Sequence, residues 1–286
     1  MKIYDCFTFF NELDLLEIRL NVLNEIVDKF VIVEANKTHT GKVKPLYFEK
    51  NIDRFEKFLD KIVYIKIDFP NGLSSWGREN FQRNKILEGL KDASEDDLII
   101  ISDLDEIPKP SILKDLTNSR NINILRGPIF YYFLNYKAFK KSGEDFLWNG
   151  PVVFKYKEMI FPQKMRQFAI FQNCILNHSN LLSLIKNQLF FNLNKIYSKT
   201  SISIIDNSQW HFSWLGGKEK IIEKLESFAH TELNKEKFKS DSFLDQMIKR
   251  GEFFKGNIIL KKVELDETFP KYILQNKEKF KHLILE

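Results

Sequence analysis

The sequence predicts an α/β fold in which a mainly parallel sheet is flanked by helices. Three observations carry this expectation. Short apolar runs alternate with amphipathic segments over residues 1–110, the pattern of strands joined by helical crossovers. The polar signals Glu34, the 70–77 loop and Asp103/Asp105 all fall where the carboxyl edge of such a sheet would lie, and open α/β sheets bind ligands beyond that edge. A chain of 286 residues is long enough for a sizeable core, as one large domain or two small ones.

The elements follow in order. KIYDCFTF (2–9) is a strand. Asn11 is placed to cap a helix through Val27, with Leu13, Leu16, Leu20, Leu23 and Val27 on one face. KFVIVEA (29–35) is a short apolar strand, NKTHTGKVKP (36–45) a polar loop, and residues 51–60 are helical. KIVYIKIDF (61–69) is the third strand, PNGLSSWG (70–77) a loop, Arg78 to Leu90 a helix, and DLIIISDLD (97–105) the fourth strand. Beyond Pro110 a short helix (111–117) leads to strand-rich, aromatic sequence over 122–139, then a turn and strand over 140–154. Residues 180–198 are expected to be helical, 208–217 a strand or loop, and 218–230 and 241–250 helices. No repeat or low-complexity linker interrupts the chain, so one domain with a C-terminal extension is expected.

Composition excludes several classes. The net charge is +5, but acids are interleaved with every lysine patch, which reads as solvated helix faces and not as a nucleic-acid stripe. The mild positive balance suits an anionic small substrate such as a nucleotide. Cys6 and Cys174 lie in no zinc-type spacing; Cys6 reads as a buried thiol, and the usage fits a reducing compartment. The start, MKIYDCFTFF, has no signal-peptide layout, and no run of about 18 apolar residues exists to span a membrane. A soluble, cytoplasmic protein is expected.

The stretch LIIISDLDEIPKP (98–110) is the most informative. Residues i and i+2 of a strand share a side, and where the strand ends Asp103 and Asp105 can converge on one hard divalent cation while leaving room for phosphate oxygens. The bland alternative is that one of them caps the helix entered through Pro108 and Pro110. Two enzyme classes use an apolar strand followed by such a pair. In haloacid-dehalogenase-like phosphatases the first acid, here Asp103, is a nucleophile; Asp241 and Asp245 have the spacing of that family's metal site but no buried strand precedes them. In metal-dependent nucleotide-sugar transferases the pair holds an ion that bridges the donor diphosphate. A non-catalytic carbohydrate-binding module is a third possibility, against which the intact acidic pair argues.

Five blocks decide among these. YDCFTFFNELDLLEIRLNVL (4–23), KFVIVEANKTHTGKVKPLYF (29–48), WGRENFQRNKILEGL (76–90), DDLIIISDLDEIP (96–108) and WHFSWLGGKEKIIEKLESFAH (210–230), in this order, closely resemble the family-17 glycosyltransferases, among them the β-1,4-mannosyl-glycoprotein 4-β-N-acetylglucosaminyltransferases. The resemblance covers residues 3–230, and unlike the animal members the protein is expected to have no membrane anchor or stem. It implies a GT-A-like fold with a Rossmann-like nucleotide-sugar-binding half (1–110), an acceptor half (111–230) and a helical C-terminal extension (231–286). It also implies an inverting, Mn²⁺- or Mg²⁺-dependent transferase that moves a sugar, expected to be N-acetylglucosamine, from a UDP-sugar to an oligosaccharide or glycoconjugate.

On that reading Asp103 and Asp105 bind metal and diphosphate, with Glu106 at the sugar, and His211, before Gly216-Gly217, completes the metal shell. Glu34 accepts from uracil or ribose, with Thr38, His39 and Thr40 beside it. Arg78 and Gln82, and Glu79 and Arg83, are i,i+4 pairs on one helix, and Arg78 and Arg83 suit bidentate diphosphate recognition. Trp148 and Asn149, before Gly150, offer a sugar platform and an amide for its hydroxyls. Glu144 and Asp145 are the candidates for the base that deprotonates the acceptor. His230, in a Lys/Glu-rich helix, is expected to be a structural or surface residue.

Overall fold

The computed structural model of the chain describes residues 1–176, 200–254, 256 and 258–286; the helix expected over 180–198 and the side chain of Cys174 lie outside the described residues. Four parallel strands form the N-terminal half: β1 (Ile3–Phe9), β2 (Lys29–Ala35), β3 (Ile62–Ile67) and β4 (Leu98–Asp103), in the order β3-β2-β1-β4. Helices α1 (Leu13–Leu23), α2 (Tyr47–Lys50) and α3 (Ser75–Asn84) connect them. The central strands are buried on both faces, which is why they read as continuous apolar runs. Their side chains alternate between two core clusters. Phe7, Phe30, Ile32 and Ile100 pack with Leu16 and Leu20 of α1. Cys6, Val31, Val33 and Ile101 pack on the opposite face with Met165 and Phe168.

The sheet continues from β4 by antiparallel pairing. After β5 (Glu106–Pro108) and α4 (Pro110–Leu116) come β6 (Ile122–Tyr131), β7 (Tyr136–Lys140), β8 (Leu147–Lys155) and α5 (Pro162–Leu176). These are followed by β9 (Ile202–Ile205), β10 (Gln209–Ser213), α6 (Gly217–Ser227), α7 (Glu236–Lys239), α8 (Asp241–Lys249), β11 (Ile258–Lys262) and α9 (Lys271–Gln275). The full path is β11-β7-β6-β8-β4-β1-β2-β3, with β10 joining β5 to β6 and β9 on β6. This is the expected mixed α/β sheet flanked by helices; the mainly parallel pairing expected of it holds over β1–β4, whereas β8, β6, β7 and β11 continue the path antiparallel and β9 and β10 each join β6 in parallel.

Several elements differ in detail from the sequence expectation. Asn11 does not cap α1: the cap position is Glu12, without a side-chain cap bond, and the helix stops at Leu23. The third crossover helix starts three residues before Arg78, because the Ser74 hydroxyl accepts from the Gly77 amide. The fourth strand ends at Asp103, so Asp105 lies in a turn before β5. Neither aspartate caps α4, whose cap position is Lys109. The segment 231–286 holds short helices but also β11, antiparallel to β7, and the Leu134 amide donates to the Leu283 carbonyl at 2.8 Å. Cys6 is a buried free thiol, as expected. Among the described residues no helix is long and apolar enough to cross a membrane.

Candidate active site

The carboxyl edge of β4 is shaped by a residue that is not on it. Arg19 of α1 is fully buried, and its guanidinium binds the Asp5 carboxylate through Nε (2.8 Å) and Nη2 (2.6 Å). Nη1 donates to the carbonyls of Asp103 (2.9 Å), Leu104 (3.0 Å) and Glu106 (2.8 Å), and Nη2 to the Ser102 hydroxyl (2.6 Å). One side chain thus donates to three carbonyls on the two sides of the break between β4 and β5.

That turn sends the three acids to different cations. Asp103 accepts from Arg83 Nη2 at 2.6 Å on Oδ1 and from Arg166 Nη2 at 2.9 Å on Oδ2. Burial alone would raise its carboxyl; Arg166 and Arg83 overcome this and hold it well below the usual range. Glu106 is fully buried, takes Arg166 Nη2 at 2.6 Å and Trp148 Nε1 at 2.7 Å on Oε1, and accepts the Asp103 amide on Oε2. Its pKa is raised by burial, against the pull of Arg166. Asp105 turns the other way. Its Oδ2 accepts from Ser213 Oγ at 3.0 Å and Lys224 Nζ at 3.3 Å, and lies 3.3 Å from His211 Nε2. Burial works against its charge, yet Lys224 and His211 hold its pKa far down. The two aspartates therefore do not converge on one point; each has its own set of basic partners.

Asp105 and Lys224 border a cavity of about 220 Å³ whose wall also includes Asn11 and Glu12 beyond β1, Trp214 beyond β10, and Lys220. Lys224 lies 3.9 Å from Glu12 and 5.5 Å from the Trp214 ring. Burial disfavours its charge, but Asp105 and Glu12 outweigh that and raise its pKa. Gly216 (φ +98°) and Gly217 (φ +83°) adopt left-handed backbone to turn β10 into α6, whose free amides start beside the cavity. Trp214 is also left-handed, at φ +61°, which an aromatic side chain adopts only under constraint from its surroundings.

The other sequence candidates separate into two groups. Arg83, Trp148 and His211 join the cluster, and Asn149 is buried next to Trp148. Glu79 pairs with Arg83 at 3.0 Å, so the helical ion pair and the contact to Asp103 exist together. Glu34 is fully buried, and four donors of the chain itself fill its oxygens: Lys44 Nζ (2.8 Å), the amides of Tyr47 (2.6 Å) and Phe48 (3.1 Å), and Tyr64 Oη (2.9 Å). It anchors the start of α2. Arg78 donates to the His39 carbonyl at 2.9 Å and so fastens the 36–45 loop, His39 meets Gln82 at 2.9 Å, and Thr38 and Thr40 bond to each other. Glu144 and Asp145 are exposed in the β7–β8 hairpin, paired with Lys140 and Lys137. His230 is a surface residue stacked edge-on with Trp76. Arg19, Arg166, Ser213, Trp214 and Lys224 were not singled out by the sequence reading.

Among the described residues no group of three or more His, Cys, Asp or Glu side chains stands ready to hold a metal. Asp105 and His211 nevertheless offer an oxygen and a nitrogen 3.3 Å apart, and the buried His211 Nδ1 has no hydrogen-bond partner. Mg²⁺ or Mn²⁺ uses one or two protein ligands when phosphate and water complete its shell, so this pair fits such an ion. Asp103 fits less well, since a guanidinium holds each of its oxygens.

Comparison with known proteins adds an independent line. The model of glycosyltransferase family 17 matches residues 1–142. Over 107 residues the chain is 35% identical to the human β-1,4-mannosyl-glycoprotein 4-beta-N-acetylglucosaminyltransferase, covering 34% of this chain and 20% of that protein. The mouse protein of the same name is 34% identical over the same length and shares. The chain therefore matches these relatives over about a fifth of their length. Among solved structures, the inositol-1-phosphate CTP transferase of T. maritima aligns with 80% of this chain and 97% of its own, at 12% identity and a TM-score of 0.37.

Proposed function

The chain belongs to glycosyltransferase family 17 through its residues 1–142, and from that premise we propose that it is a metal-dependent inverting transferase that moves N-acetylglucosamine from UDP-N-acetylglucosamine to a glycan hydroxyl. The observation that supports this most directly is that Asp105 and Lys224 line a cavity beyond the carboxyl ends of β1 and β4, with His211 in contact with Asp105. This is where an open α/β sheet receives a nucleotide.

In this reading Lys220, Lys224 and the amides that open α6 face the diphosphate, where positive charge and free N–H groups stabilise an anion. Asp105 and His211 hold the divalent ion, which when bound neutralises the leaving nucleoside diphosphate as a Lewis acid. Arg83, Arg166 and Glu106 form a floor beneath Asp103, and Glu106 fixes the Trp148 ring, which in this reading meets a sugar face. The charges in that floor are paired with one another, so their positions are preorganised before any ligand arrives.

Calorimetry tests the reading. UDP and UDP-N-acetylglucosamine are titrated with and without Mn²⁺, and the expected result is metal-dependent binding that Asp105→Ala abolishes. Chromatography of glycan acceptors incubated with the donor then shows transfer. Failure of every nucleotide to bind, with or without metal, would overturn it.

A further inference from the structure

Lys224 stands where a divalent ion would have to act. Its ammonium contacts the same Oδ2 of Asp105 that lies 3.3 Å from His211 Nε2. In the chain as folded, then, the carboxylate proposed to hold the metal already has a counter-cation. The side chain of Lys224 is a quarter exposed and faces a cavity also lined by Lys220, while Glu12 is its second acid neighbour at 3.9 Å. A flexible four-carbon stem allows the ammonium to turn from Asp105 into that cavity. The fixed guanidinium pairs of Arg83 and Arg166, which are almost fully buried, have no such freedom.

We propose that Lys224 is an internal stand-in for the metal and thereby couples cation and diphosphate binding. This rests on the reading that the cavity takes a nucleoside diphosphate and that Asp105 takes the ion. With neither ligand present, Lys224 neutralises Asp105, and a metal must displace it at a cost. A diphosphate draws the ammonium off Asp105 and leaves the carboxylate open to the metal. Each ligand therefore favours the other, and linkage requires the two effects to be equal. The device also prevents Asp105 from becoming an uncompensated buried charge between turnovers.

The test is a thermodynamic cycle on the full chain. Mn²⁺ affinity is measured by the electron paramagnetic resonance signal of free Mn²⁺, with and without UDP, and UDP affinity by calorimetry, with and without Mn²⁺. For the native protein a coupling of at least about tenfold is expected, within the range usual for linked sites. In Lys224→Met, Mn²⁺ without UDP should bind several-fold tighter, UDP without Mn²⁺ should bind weaker, and the coupling factor should shrink. Lys224→Arg should retain most of the coupling. Lys220→Met removes a diphosphate-facing charge from the same cavity without touching Asp105, so it should weaken UDP alike with and without Mn²⁺ and leave the coupling factor near the native one. Asp105→Asn should lose Mn²⁺ binding yet bind UDP without metal more tightly than the native protein, because Lys224 is released; this arm keeps the test alive if Lys224→Met does not fold. Native-like coupling in Lys224→Met, or an equal effect of Lys220→Met, would overturn the proposal while leaving the transferase reading intact. A native protein that binds neither Mn²⁺ nor UDP would sink both.

Discussion

Arg19 and Asp5 face each other in the core with both side chains wholly excluded from solvent, joined by contacts of 2.6 and 2.8 Å. The pair holds the acidic turn in place, since the same guanidinium carries the carbonyls of Asp103, Leu104 and Glu106. Breaking a buried pair from one side leaves a bare charge, so Arg19→Met should cost about 3–5 kcal/mol in urea unfolding. Replacing both partners, as in Asp5→Leu with Arg19→Met, removes that charge but still takes the guanidinium donor from the three carbonyls. The double variant should therefore recover only part of the loss and should bind UDP and Mn²⁺ poorly even when folded. Full recovery of stability and of the binding heat would show that the turn needs no clamp.

Trp148 donates its indole N–H to the Glu106 carboxylate at 2.7 Å. A hydrogen bond to a buried charged acceptor is worth about 1.5–3 kcal/mol. Trp148→Phe keeps most of the ring area and loses the donor, so it should lower stability by that amount. If the ring also meets a sugar face, binding of UDP-N-acetylglucosamine should weaken more than binding of UDP. Equal weakening of both ligands would remove the platform role from Trp148.

Much of this site was legible before the structure, and the gaps have identifiable causes. The strands of the parallel half stand out because both of their faces are buried, so KFVIVEA and LIIISD read as unbroken apolar runs. The break after Asp103 leaves no such trace, because Leu104 and Ile107 continue the apolar pattern without a glycine or proline at the turn itself. Glu34 was visible as an acid at a strand end, but its four donors come from the 44–48 segment and from Tyr64, contacts that only the fold creates. Lys224 is one of several lysines on a Lys/Glu-rich helix, with the same local sequence character as its solvated neighbours. Arg166 reaches Asp103 across 63 positions of chain. Local sequence shows where charge is concentrated; which opposite charge it meets is decided by the crossovers.

His39 is half-buried against Gln82, and desolvation, the largest influence on it, lowers its pKa below the usual 6.5 despite the nearby Glu79. In the unfolded chain the ring takes its proton near pH 6.5, and in the folded chain only at lower pH. Between those values the unfolded state binds more protons, so stability must fall as the pH drops below about 6.5. His39→Asn should flatten this part of the curve in denaturant titrations at pH 7.5, 6.5 and 5.5. It should do so even though the variant is less stable at pH 7.5. A native curve that is already level across the window would show that His39 titrates alike in both states.

Gly127 of β6 has no room for a side chain: an added Cβ would lie 2.1 Å from the Gln209 carbonyl oxygen, a backbone atom that cannot swing aside. Gln209 begins β10, the strand that carries His211 and Ser213 to Asp105. Gly127→Ala must therefore shift one strand against the other, at a cost of about 1–3 kcal/mol or more for overpacking, and the shift acts on the proposed metal ligands. Gly143 provides the contrast. It has φ +93° but nothing within 4 Å of an added Cβ, so Gly143→Ala should cost only backbone strain, about 1–2 kcal/mol, in an exposed hairpin turn. Stability alone would not separate the two variants clearly. Binding should: Mn²⁺-dependent UDP affinity is expected to drop at least tenfold in Gly127→Ala and to stay at the native value in Gly143→Ala. Native affinity in folded Gly127→Ala would mean that β10 does not set the geometry at Asp105.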